Sequence, residues 1–265
     1  MDDEFHDLAP YELIGAGRDP SWLVLCDHAS NRVPPDVAGG DLGLPVEDMA
    51  RHIAWDVGAR GVALALAEAL SAPMIATRFS RLVIDPNRGE DDPTLLMKLY
   101  DGSVIPGNRD ADEAERERRL ALFHRPYHDA LERLIDGAVA GGASPRLLSI
   151  HSFTPQLRGR PRRPWEIGLL WDRDDRLFRP LYHRLLQEKG LTVGDNEPYS
   201  GELRGDTMWR HGTGRGLAHL LVEVRNDLIE TEADQARWGR DLARWIVEAM
   251  ADATGEALDE RAARA

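Results

Sequence analysis

The sequence predicts an α/β protein. Short apolar runs alternate along the chain with stretches of helical periodicity, and polar, chemically capable residues follow several of the runs at once. The runs cover residues 22–26, 73–76, 82–84, 147–150, 167–171 and 217–224. Their length favours strands over buried helix fragments.

Helical patterns fill the gaps. Val46, Met49, Ile53 and Val57 recur at helical spacing, followed by Val62, Leu66 and Leu70. Residues 112–124 are strongly charged and helical. Pro126 is expected to separate them from a second stripe made by Tyr127, Leu131, Leu134 and Ala138. Residues 175–189 form another helix with Gly190 suited to its C-cap, and residues 232–251 close the fold. The polar tail 255–265 is expected to fray. Residues 155–164, with four Arg and three Pro, and residues 195–216, rich in Gly, read as long loops, which are often functional. The expectation is one domain over 1–265, with a core from about 20 to 252 and its loops gathered over one edge of a sheet.

Composition narrows the functional classes. The chain has 265 residues, of which 42% are hydrophobic and 30% charged, so it buries a core without needing bridges or metals to hold it. It is not collagen-like, disulfide-stapled or disordered. A net charge of −13 repels phosphate backbones, which argues against nucleic acid as a partner. The lone Cys26 makes no internal disulfide and fits a reducing compartment. The N-terminal MDDEFHDLAP is acidic and has no apolar segment, unlike a signal peptide. No run approaches the ~18 apolar residues of a membrane span. A cytoplasmic protein, monomeric or weakly homo-oligomeric, is the expectation.

The chemistry concentrates where apolar runs stop. Run 22–26 leads into Asp27-His28-Ala29-Ser30-Asn31, run 82–84 into Asp85-Pro86-Asn87-Arg88, and run 147–150 into His151-Ser152. The last run carries Glu223 and then Arg225. Open α/β sheets bind ligands beyond the carboxyl ends of their strands, so His28, His151, Glu223 and Arg88 are placed to converge. Two imidazoles and a carboxylate are the parts of a catalytic zinc site, which needs such ligands and one open position. The bland alternative is that each histidine caps a turn. Glu223, between Val222 and Val224, is costly to bury unless paired, so it is either a working carboxylate or half of a structural ion pair.

His52 and Asp56 stand at i, i+4, as a ligand and its orienting partner, as two ligands, or as a solvated surface pair. Arg78, Arg81 and Arg88 bracket the run 82–84 and offer planar forks for a carboxylate, or are ordinary surface arginines. Gly15-Ala16-Gly17 does not follow a strand and is no dinucleotide loop. Gly212, Gly214 and Gly216 suit a mobile lid. Cys26 suits a buried apolar position better than a nucleophile. Ser152 lacks a nucleophile-elbow pattern. The basic loop 158–163 is a solvated loop or steers an anionic substrate.

Six segments in order, DHASNRVP (27–34), RHIAWDVGA (51–59), SRLVIDPNR (80–88), IHSFTP (150–155), DNEPYSG (195–201) and VEVRNDL (222–228), resemble the N-formylglutamate amidohydrolase family. The resemblance spans about residues 20–250. It implies a three-layer α/β/α sandwich around a mixed, mostly parallel sheet, like that of the zinc exopeptidases. It also implies hydrolysis of N-formyl-L-glutamate to formate and glutamate, late in histidine breakdown, on one zinc ion. On that likeness His28 and His151 are metal ligands, Glu223 is the general base and proton shuttle, and Arg81 polarises the scissile carbonyl. Asn87 and Arg88 resemble the pair that holds a substrate carboxylate in carboxypeptidases. Tyr199, Arg225 and Asn31 lie in the matching segments as further substrate contacts. One departure concerns the third ligand. Carboxypeptidases use His-x-x-Glu, and Asn31 stands where the Glu would be. Asp56 is the preferred substitute, with Asn31 either ligating through its carbonyl oxygen or touching substrate.

Three functions follow. The first is a metal-dependent amidohydrolase acting on a small anionic N-acyl amino acid. The second is a zinc peptidase or amidase acting on a related acidic or cell-wall peptide. The third is a non-catalytic protein that captures a carboxylate with its arginines. The presence of His28, His151 and Glu223 argues against the third, since binding alone needs no general base.

Overall fold

The apolar runs become strands of one twisted sheet. The computed structural model describes residues 9–263, with side chains through residue 253. The first eight residues of the acidic N-terminal stretch and residues 264–265 of the tail lie outside the described residues. In chain order the elements are β1 (Tyr11–Ile14), β2 (Trp22–Cys26), α1 (Val46–Met49), α2 (Ala59–Ala69), β3 (Met74–Thr77), β4 (Leu99–Tyr100) and β5 (Ser103–Val104). They continue with α3 (Glu113–Arg119), α4 (Arg125–Ala140), β6 (Arg146–Phe153), β7 (Ile167–Leu170) and α5 (Phe178–Leu185). The last are β8 (Val193–Asp195), α6 (Thr207–His211), β9 (His219–Arg225) and α7 (Glu232–Ala263). The tail expected to fray from residue 255 is thus helical through Ala263.

Among the described residues the main sheet has seven strands in the order β1-β3-β2-β6-β9-β7-β8. β3, β2, β6 and β9 run parallel, and β1 and β7 pair antiparallel at their flanks, with β8 parallel to β7. The sheet is mixed and mostly parallel, as expected. One face packs against α2, α5 and α7 through Val62, Leu66, Leu181, Leu242 and Ile246. The other packs against α4 through Tyr127, Leu131 and Ile135. Three layers result, with helices over both faces of a parallel centre.

The strand pattern explains where function sits. Leu23 and Leu25 of β2, Leu147 of β6 and Leu221 of β9 all join the core cluster on the α4 face. Residues alternate between faces with period two, so Asp27, Ser149, His151 and Glu223 continue these same rows towards the carboxyl ends. Apolar side chains thus give way to polar ones on one face of adjacent strands. The chain leaves β2 through α2 to reach β3 on one side, whereas β6 lies on the other. The β2–β6 boundary is therefore a topological switch point, where a crevice opens.

Several local expectations are corrected. Residues 82–84 are not a strand. Their backbone is satisfied by side chains instead: Asn108 donates to the Leu82 carbonyl at 2.8 Å and Arg119 to the Val83 carbonyl at 2.9 Å. The run is a buried turn within a third core cluster that includes Phe79, Ile84, Leu95 and Phe123. The helical pattern from Val46 stops at Met49; His52 lies in a turn and Asp56 in irregular chain just before α2. The Asp56 N–H donates to the His28 carbonyl at 3.0 Å, which pulls the chain out of helical register. Gly58 then reverses it with φ +81°, where a Cβ would fall 2.4 Å from the Ile229 carbonyl oxygen. Pro126 does not break the helical run. A π-helical turn over Leu120–His124 joins α3 to α4, and Pro126 follows it in the first turn of α4. β6 is longer than expected and contains His151 and Ser152, and the loop 195–216 contains α6. The short β1, β4, β5 and β8 carried no clear sequence signal.

Candidate metal centre and active-site cleft

His28, Asp56 and His151 meet at the switch point, all buried, with one potential ligand atom from each within 4.8 Å of the others. Asp56 Oδ2 lies 3.2 Å from His28 Nδ1 and 2.8 Å from His151 Nδ1. The two rings are 4.9 Å apart, edge to face. The far nitrogen of each ring meets a carboxylate. His28 Nε2 is 2.7 Å from Asp85 Oδ1, and His151 Nε2 is 3.2 Å from Asp27 Oδ2 and 3.0 Å from Ser149 Oγ. With Nε2 engaged in this way, Nδ1 is the nitrogen each ring presents to an ion.

The supporting carboxylates are themselves saturated. Asp27 accepts hydrogen bonds from Tyr127 Oη at 2.6 Å, Thr207 Oγ1 at 3.1 Å and Ser149 Oγ at 3.0 Å. Asp85 accepts from Arg81 Nη2 at 2.8 Å and Nε at 3.1 Å, and from the Asn87 N–H at 2.9 Å. Burial works to raise Asp27, but the His151 and Tyr127 bonds overcome it and hold the carboxyl at about 2. The same contest keeps Asp56 below the ordinary range through His28 and His151, and Asp85 through Arg81 and His28. Two imidazoles, one carboxylate oxygen and a carboxylate behind each ring are a donor set that suits a divalent ion such as zinc.

Glu223 faces this group from the next strand, paired in register with His151. Its Oε2 is buried without a hydrogen-bond partner among the described residues. Burial lifts its carboxyl to about 7, against the pull of His151 and with Asp56 adding to the rise. All four residues line a cleft of about 910 Å³, open mouth included, whose outer wall carries Tyr100, Trp171, Tyr199 and Trp209. Such a cleft suits a small ligand.

A family model for N-formylglutamate amidohydrolase matches residues 21–230. The chain belongs to the N-formylglutamate amidohydrolase family. Its structure is similar to that of a gene product of Agrobacterium tumefaciens, with 35% identity, a TM-score of 0.87, and coverage of 93% of this chain and 96% of that one. It is also similar to the N-formylglutamate amidohydrolase of Ralstonia eutropha JMP134, with 25% identity, a TM-score of 0.65, and coverage of 91% and 99%. An N-formylglutamate deformylase of Pseudomonas putida is 36% identical over 77 residues. That match spans 25% of this chain and 29% of the relative's length.

Within this member of the amidohydrolase family, the other sequence-predicted residues divide. Arg81, Asn87, Arg88 and Tyr199 line the cleft. Arg81 is largely committed, donating from Nε and Nη2 to the single oxygen Asp85 Oδ2, with Nη1 3.4 Å from Asp56 Oδ1. Asn87 Oδ1 accepts from the Thr207 N–H, leaving its amide NH₂ for the cleft. Burial pushes the Tyr199 phenol up to about 12, so it stays a donor at neutral pH. Asn31 and Arg225 are not brought to the cleft. Asn31 donates to the Met49 carbonyl at 3.0 Å, which turns it outward. Arg225 is spent on Asp227, the Trp165 carbonyl and Glu166, holding the start of β7 rather than substrate. His52 lines the cleft outside the three-residue group, 3.5 Å from Asp101. In the basic loop, Arg163 stacks over Tyr199 and Phe153, and Arg162 pairs with Asp227.

Sequence reasoning missed Asp27, Asp85, Asp206 and the hydroxyls of Tyr127, Ser149 and Thr207. The signal for Asp27 and Asp85 was local: each is a carboxylate at the end of an apolar run, beside a residue already singled out. Asp206 caps α6, lines the cleft and is lifted to about 7 by burial.

Proposed function

We propose that the protein hydrolyses the formyl amide of N-formyl-L-glutamate, giving formate and glutamate, with a divalent metal, zinc by default, held by His28 Nδ1, His151 Nδ1 and Asp56. The observation that carries this reading is the unpartnered Glu223 carboxyl, set in register with His151 beside a three-donor group. Bound there, the metal would supply the Lewis acidity that makes water a nucleophile at neutral pH.

The chain's own residues account for the rest. Glu223, with a carboxyl near the working pH, takes a proton from the attacking water and returns it to the leaving amine nitrogen. The new C–O bond forms first and puts negative charge on the formyl oxygen; the C–N bond then breaks as that charge collapses and the amine nitrogen takes the proton. Arg81 sets positive charge beside Asp56 and the developing oxyanion. Arg88 and the Asn87 NH₂ hold a substrate carboxylate. The aromatic outer wall limits water in the cleft. The substrate and its pathway, late in histidine breakdown, come with the family likeness.

The test couples metal analysis to formate release. Protein carrying about one metal ion per chain should release formate from N-formylglutamate, and chelation should abolish turnover until metal is returned. Metal-free protein with full turnover would overturn the reading.

A further inference from the structure

Among the described residues, three of the four buried histidines outside the metal group form a cluster with no part in the chemistry above. His124 and His128 come from the π turn and α4, and His211 ends α6. His124 and His128 pack with ring centres 4.5 Å apart, and His128 stacks on His211 at 5.2 Å. Their hydrogen bonds run to one place. His128 Nε2 lies 2.9 Å from the Pro86 carbonyl, and His124 Nε2 lies 2.9 Å from the Arg88 carbonyl. A carbonyl only accepts, so both rings carry their proton on Nε2. His128 Nδ1 is then an acceptor, and His211 Nε2, 2.9 Å away, donates to it. A charged His128 would reverse that bond and donate to His211 Nε2, but burial holds the ring well below its ordinary range, so it is neutral and accepts.

The two clamped carbonyls flank Asn87, whose own N–H is tied to Asp85 and whose Oδ1 is tied to the Thr207 N–H of α6. The Pro86–Arg88 turn has no strand to hold it. We propose that His124, His128 and His211 are positioning residues that fix the Asn87–Arg88 turn, and through it the pocket for the substrate carboxylate. The inference rests on the reading of Asn87 and Arg88 given above. The clamp acts on binding rather than on bond breaking, so it sets KM and leaves kcat alone.

The variants His124→Phe and His128→Phe keep the ring volume and remove the donor. Each should raise KM for N-formylglutamate about tenfold, the effect of one ordinary hydrogen bond, with kcat within about twofold. Amide exchange at residues 87–89 should quicken about tenfold, while exchange in β6 and β9 stays unchanged. His124→Gln, which restores a donor near the Nε2 position, should return both readouts towards wild type. Folded Phe variants with wild-type KM and wild-type exchange at 87–89 would overturn the clamp. Nitrogen NMR of the wild-type imidazoles gives a test that needs no variant. All three rings should be neutral with the proton on Nε2 at pH 7, and an Nδ1–H tautomer or a charged ring at His128 would overturn it. If wild type fails to turn over N-formylglutamate, the proposed function falls, and exchange and tautomers still decide the clamp.

Discussion

His151 and Glu223 stand opposite one another on adjacent parallel strands, the imidazole bonded at both nitrogens and the carboxyl unpartnered at its buried oxygen. A buried carboxylate is costly without a partner, so this asymmetry marks a group kept free for a transient one.

Replacing Glu223 with Gln should therefore leave the fold and the metal content intact and lower kcat roughly 10²–10⁴-fold, the usual worth of a general base. Steady-state formate release and metal analysis on the same sample check this. Near-normal turnover with metal bound would remove Glu223 from the mechanism.

The carboxylates behind the two imidazoles should matter almost as much as the ligands. Asp85→Asn and Asp27→Asn should each weaken metal affinity about 10–100-fold, because each aims one ring and raises its basicity. Competition titration against a chromophoric chelator measures the change. An unchanged affinity in both would show that the rings are held by packing alone.

The histidine clamp makes a prediction about acid. Burial, with Arg210 next in effect, lowers His211 to about 4 from its ordinary 6.5. At this group the unfolded chain then binds more protons between those values, so the stability His211 contributes is full above pH 6.5 and falls as pH drops towards 4. At about 1.4 kcal/mol per unit, the loss is on the order of 3 kcal/mol. Burial lowers His128 and His124 as well, in the same direction. Glu223 and Asp206, lifted to about 7, shift stability the opposite way over this window, so the loss is read as a difference: between pH 7 and 4.5, denaturant melts of wild type should change less favourably than those of His211→Gln, which keeps a donor to His128 but does not titrate. An equal change in that variant would assign the acid sensitivity elsewhere.

Much of this was legible because it is local. Each of His28, His151 and Glu223 ends or interrupts an apolar run, and parallel strands bring their carboxyl ends to one edge. Asp56 was singled out as a carboxylate shortly after β2, although the helix expected to carry it ends at Met49. Residues 82–84 were misread because a three-residue apolar run does not say whether a strand or a side chain will satisfy its backbone. Here the buried Arg119 does so from the far side of the chain. Asn31 and Arg225 were drawn in by their motifs, and their partners Met49, Asp227 and Glu166 turn them away. The clamp was invisible because it links residues 86–88, 124–128 and 211 only in three dimensions.

The most direct measurement is anomalous scattering from crystals grown with zinc, collected on both sides of its absorption edge. One peak is predicted, about 2.0–2.2 Å from His28 Nδ1, His151 Nδ1 and an oxygen of Asp56, with Glu223 beyond bonding distance of the ion. A peak ligated by other residues, or none at full zinc loading, would contradict the account.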